Sequence, residues 1–289
     1  MGLVALVGFG VLAMLVVIAE RFGRSSGIAT MSQRGSLLNK ELQQRKGECL
    51  TEDQRQVLSN TIGLYNWIPQ ELHEPWEERI LTFTASFNFS SMSGAQVTDE
   101  MKLLVAAEAC LLIANRPMSD YRRLRRIHLW EKGIEGAEQA KGMASASEVN
   151  LSWEFLMQTV ADARDGQNLI LHEFAHVLDF AEDGIAQSIP VSPDSPDFEE
   201  WSAVVDDEHK RLMSVYESGK NYVIRAYGGY TSIQGDMPEI FSCATSAFFE
   251  RGSRLRREAP TIYSMLKRFY GMDPANWRKS KDSNNSSSS

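Results

Sequence analysis

Cysteine is scarce in this 289-residue chain: Cys49, Cys110 and Cys243 are far apart, with no C-x-x-C spacing. That excludes a disulfide framework and a structural zinc site closed by thiolates, and it fits a reducing compartment. Cys110 and Cys243 lie in apolar helical patterns and read as small core residues. An excess of positive charge is also missing. Thirty Lys and Arg face 38 Asp and Glu, for a net charge of -8, which excludes a general nucleic-acid binder. The basic run Tyr121-Arg122-Arg123-Leu124-Arg125-Arg126 has no stacking aromatics or nucleic-acid fold signature around it. It reads as a solvated helix end or loop, so no direct nucleic-acid contact is expected. Internal repeats are absent as well. What is present, 43% hydrophobic and 24% charged residues, is enough for a sizeable core.

The two ends differ from the body. Residues 2–19 carry no charge and are almost entirely apolar. As a helix they would span about 27 Å, close to the roughly 30 Å of a hydrocarbon core. No Lys or Arg precedes the run and no clear A-x-A site follows it, which favours an anchor over a cleaved signal. Arg21, Arg24, Arg34, Lys40, Arg45 and Lys46 follow it, so the positive-inside rule predicts a single-pass protein of the inner, cytoplasmic membrane with its body in the cytoplasm. Residues 20–51, rich in Ser, Gly, Gln and charge, are expected to form a juxtamembrane tether. Residues 276–289, ending in an Asn/Ser run, are expected to be a disordered tail.

Between them, residues 52–275 read as one mostly helical domain with a small sheet. Thr98-Asp99-Glu100 starts a helix over 98–114 that is apolar almost all round. Residues 126–130 and 149–153 read as short strands. Gly166 breaks the chain before a helix over 168–180, and a last helical region runs from Pro238 to Tyr270 with a break near Pro260. The mixture predicts an α+β fold.

The chemistry is carried by Leu171-His172-Glu173-Phe174-Ala175-His176, an H-E-x-x-H pattern on a helix. At 3.6 residues per turn both imidazoles leave one face and can reach one ion. Zinc accepts neutral imidazole, and a catalytic zinc keeps a position for water, whose pKa it lowers. Glu173, beside the first ligand, is placed to take that water's proton. The flanking Leu169, Ile170, Leu171, Phe174 and Ala175 bury this helix, where His and Glu are costly unless paired or metal-bound.

The third ligand is not local. Asp179 shares the angular face of the histidines but lies two turns from His172, which suits an outer role or the helix end. Glu239, in Asp236-Met237-Pro238-Glu239-Ile240-Phe241, is a carboxylate opening an apolar helix. The residues alone leave it balanced between a ligand and a favourable charge at a helix start.

Several separate motifs, in order over roughly 52–273, resemble the Mlc titration factor A family of zinc-dependent peptidases. They are Val97-Thr98-Asp99-Glu100-Met101 running into Ala106–Leu112, Leu151-Ser152-Trp153, Asp165-Gly166-Gln167-Asn168 leading into His172–Asp179, and Phe269–Pro274. The resemblance implies a zincin-like fold with His172, His176 and Glu239 on the metal, Glu173 as base, and peptide hydrolysis, in one form aminopeptidase-like. It also implies, as the alternative function, a membrane-tethered protein that sequesters a transcriptional repressor of sugar uptake. Residues 151–153 would be the edge strand along which a peptide lies. The family's oxyanion-stabilising Tyr corresponds to Tyr230 or Tyr227, with the spacing lengthened by 232–235. Its second Glu, seven residues after the ligand Glu, is replaced by Ser246, so a supporting carboxylate is expected to be missing.

Overall fold

The computed structural model describes residues 24–92, 96–137, 140–225 and 239–277. Local capping sets the first helices. After α1 (Arg24–Gln44), Thr51 and Gln54 exchange hydrogen bonds in a capping box that opens α2 (Glu52–Thr61). Next come α3 (Gln70–Ser86) and β1 (Asn88–Ser91). The hydroxyl of Thr98 accepts the Met101 N–H and starts α4 (Asp99–Leu112), whose residues 103–112 are all buried. The all-round apolar pattern thus marks a central helix, as expected.

Four short strands form one sheet. These are β1, β2 (Arg126–Trp130), β3 (Gly142–Ala144) and β4 (Glu148–Ser152), in the order β1-β2-β4-β3. β1 and β2 are parallel, with Asn88 opposite Arg126, and so are β2 and β4, with Arg126 opposite Glu148. β3 runs antiparallel to β4, with Gly142 opposite Leu151. The edge expected at residues 151–153 is therefore corrected. β4 is internal, β3 is the edge beside it, and Trp153 already begins α5 (Trp153–Val160). A three-residue strand containing glycine is too short to give a period-two signal.

The remaining α-helices among the described residues are α6 (Leu169–Asp179), α7 (Phe198–Ser218), α8 (Ile240–Glu250), α9 (Gly252–Glu258) and α10 (Pro260–Tyr270). α6 packs on α8, α4, β3 and β4. On one side Phe174 meets the rings of Phe83 and Tyr121. On the other, Phe241 of α8 stacks among Trp201, Phe269 and Tyr270. Each such ring contributes about 1.5–3 kcal/mol by leaving water, so α6 and α8 are clamped from both sides.

Two expected boundaries move. Residues 24–44 are helical rather than a loose tether, and Leu38, Leu42 and Leu50 join the main core. At the other end Ala275 and Trp277 are buried, with Trp277 against Phe249, so the domain reaches past 275. The expected anchor over 2–19 lies outside the described residues, as do residues 278–289. Among the described residues no helix is long and apolar enough to cross a membrane. The basic run turns out to be paired: Arg122 bonds to Glu182, Arg126 to Glu148, and Arg123 donates to the carbonyls of Ala181 and Glu182 just past α6. All three cysteines are free.

Candidate metal centre

Gly166, at φ +68°, turns the chain into Asn168, whose side-chain oxygen accepts the Leu171 N–H and starts α6. One turn apart on that helix, the rings of His172 and His176 stand 5.0 Å apart, nearly perpendicular at 83°. Glu239, at the start of α8, lies 63 residues beyond His176 in the sequence and reaches both. Its Oε2 lies 2.9 Å from each Nε2. The hydroxyl of Ser242 is 3.0 Å from the same oxygen. All four side chains of the expected centre, Glu173 included, are buried.

The electrostatics suit a cation at that point. Burial opposes a charge on Glu239, yet the His176 charge and hydrogen bonds from His172 and His176 hold its carboxyl well below the usual carboxylate range. Burial also disfavours protonation of His176, but the Glu239 carboxylate overrides it and pushes the imidazole up to about 9. Burial brings His172 down to about 4, against the pull of Glu239. The centre thus brings two imidazoles and one carboxylate to one point. An ion bound there would meet two nitrogens and one carboxylate oxygen, a donor set that zinc takes at about 2.0–2.2 Å. The residues fit a metal.

Glu173 faces a different neighbour. A Cβ built on Gly142 would lie 2.5 Å from its Oε1 and 2.7 Å from its Cδ. The backbone of β3 therefore passes directly over this carboxylate, which burial pushes up to about 8. Along β3, Lys141 O accepts from Ser152 N, and Ser145 N donates to Glu148 O. By antiparallel alternation the N–H and C=O of Gly142 and Ala144 point away from β4, toward the open edge. Sequence reasoning missed Gly142; a glycine inside a strand is the general sign that something approaches the backbone closely.

Two more residues reach the centre unannounced. Arg225 places Nη2 3.4 Å from His172 Nδ1 and 4.0 Å from Cys243 Sγ. Cys243, one turn beyond Glu239, is buried as expected, but its sulfur and donor atoms of His172 and Glu239 all lie within 4.8 Å of one another. Both Nε2 atoms face Glu239 Oε2, and the sulfur lies 4.0 Å from the same Arg225 nitrogen that meets His172 Nδ1. The three atoms that meet most closely are thus His172 Nε2, His176 Nε2 and Glu239 Oε2. Ser246 points elsewhere: its hydroxyl lies 3.5 Å from Asn168 O, at the start of α6. Tyr227 and Tyr230 lie outside the described residues.

Residues 37–271 match the model of the glucose-regulated metallo-peptidase M90 family. An uncharacterised protein of Synechocystis sp. is 26% identical over 234 residues, 75% of this chain and 83% of that protein. Mlc titration factor A of Edwardsiella ictaluri is 30% identical over 152 residues, 50% of this chain and 55% of its own. The namesake from Pectobacterium atrosepticum is 29% identical over 140 residues, 46% and 48% of the two chains. The matched segments span about half the length of these two named relatives.

Proposed function

Since this chain belongs to the glucose-regulated metallo-peptidase M90 family, whose membership implies a metal, we propose that it is a zinc-dependent peptidase of zincin-like architecture. The reading rests above all on Glu239 Oε2, which stands 2.9 Å from both Nε2 atoms of the H-E-x-x-H helix. His172, His176 and Glu239 hold the ion. When bound, the ion supplies a Lewis acid and a water of lowered pKa.

The chain's own groups do the rest. Glu173 accepts the water's proton and returns it to the leaving amine. A peptide substrate pairs with the outward N–H and C=O groups of Gly142 and Ala144, which fixes its backbone beside Glu173. Tyr230 (or Tyr227) stabilises the oxyanion, and the cleavage is aminopeptidase-like. The apolar segment 2–19 tethers the domain to the cytoplasmic face of the inner membrane. The second proposal is capture of a transcriptional repressor of sugar uptake. It is motivated by the name Mlc titration factor A carried by two relatives.

Metal analysis of the full chain tests the centre. The parent should carry about one zinc per chain and His172→Ala almost none, because two donors do not hold the ion. Full occupancy in His172→Ala would move the metal elsewhere.

A further inference from the structure

The residue that opens α8 is engaged elsewhere. A helix usually begins with a side chain that accepts the second or third amide of the first turn. Glu239 holds that position and makes no such bond, because its carboxylate is turned to His172 and His176. The amide of Phe241, second in the helix, is buried and needs another acceptor.

Ser188 supplies it. Its Oγ accepts the Phe241 N–H at 3.1 Å, and the residue is fully buried. Among the described residues Ser188 alone, apart from glycines, has a positive φ, +64°. Side-chain-bearing residues rarely adopt that conformation unless their surroundings hold them there. The holder is Asp179, the last residue of α6. Its Oδ2 accepts the Ser188 N–H at 2.7 Å, and the amides of Gln187 and Ile189 also turn toward the carboxylate. One chain of contacts thus runs from the end of the helix bearing His172 and His176, through Asp179 and Ser188, to the start of the helix bearing Glu239.

We propose that Asp179 and Ser188 are positioning residues for the metal centre. Ser188 caps α8 in place of Glu239, which leaves the Glu239 carboxylate free to face the histidines, and Asp179 keeps Ser188 in the shape that reaches. Without Ser188 Oγ, the first turn of α8 loses its acceptor and Glu239 is drawn back toward its own helix.

This proposal rests on the metal reading above, and one experiment separates the two. Zinc affinity of the full chain is measured by competition with a chromophoric chelator, and the visible spectrum of the cobalt-loaded protein reports the ligand geometry. Ser188→Gly accepts the positive φ but lacks the acceptor. It should bind zinc about 10- to 100-fold more weakly, the usual scale for a supporting contact behind a ligand, with an altered cobalt spectrum. Ser188→Asn, which tolerates the same backbone and restores a side-chain oxygen, should recover much of the affinity. Asp179→Asn should lie between Asp179→Ala and the parent. Parental zinc affinity and cobalt spectrum in Ser188→Gly would overturn the proposal while leaving the metal centre standing. A parent that binds neither metal would overturn both.

Discussion

Gly142 lies so close over the carboxylate of Glu173 that a methyl group in place of its α-hydrogen would lie 2.5 Å from Oε1. The edge strand and the Glu173 carboxylate, the proposed base, are therefore built against each other. Gly142→Ala forces one of them to move while leaving His172, His176 and Glu239 untouched. Zinc content should stay at the parental value and peptide turnover should fall at least about 10-fold, since displacing a positioned group by an ångström has effects of this size or larger. Assays of zinc content and hydrolysis on one preparation check it. Unchanged turnover would show that β3 does not confine the base.

Cys243 and His176 compete for the description of the inner donor set. If His176 belongs to it, Cys243→Ser should retain about one zinc per chain and His176→Ala should lose most of it. The reverse pattern, zinc lost with the thiol and kept without the second imidazole, would place the ion on Cys243.

A second buried carboxylate pair sits behind the start of α6. Neither oxygen of Glu108 has a hydrogen-bond partner in good geometry, and Glu250 and Asn168 are its polar neighbours. Burial pushes Glu108 up to about 8, and burial together with the Glu108 charge pushes Glu250 up to about 9. Between the ordinary carboxylate range and these values the folded chain binds more protons than the unfolded one. Stability therefore falls as pH rises across that window and levels off above it. Glu108→Gln removes the charge at nearly constant volume. Its Tm should match the parent near pH 5 and exceed it by about 2–6 °C near pH 8.5, the shift that 1–2 kcal/mol produces in a domain of this size. Melting curves at both pH values check this; equal Tm differences at the two would contradict it.

How much of this was legible in the sequence follows from the range of each interaction. His172 and His176 are one turn apart, so helix geometry alone brings them together, and their burial was announced by the surrounding apolar residues. α4 was legible for the same local reason. Glu239 could be singled out as a carboxylate at the head of an apolar helix, but its meeting with the histidines is tertiary, and the residues alone could not choose. α1 was misjudged because Leu38 and Leu42 are a thin apolar stripe on an otherwise polar segment, so composition pointed to a tether. β3 was invisible at three residues. Asp179 could be read only as lying two turns from His172; its partner Ser188 lies in an irregular loop whose left-handed residue no composition rule marks.

Glu173→Gln tests the central claim most directly, because it keeps the side chain's volume and removes only the basic carboxylate beside the metal ligands. Zinc content and peptide hydrolysis are measured together on the full chain. The account predicts parental zinc and hydrolysis reduced by about 10²-fold or more, the scale of a lost general base. Parental zinc with parental hydrolysis would contradict it, since the reaction would then proceed without the group assigned to move the proton.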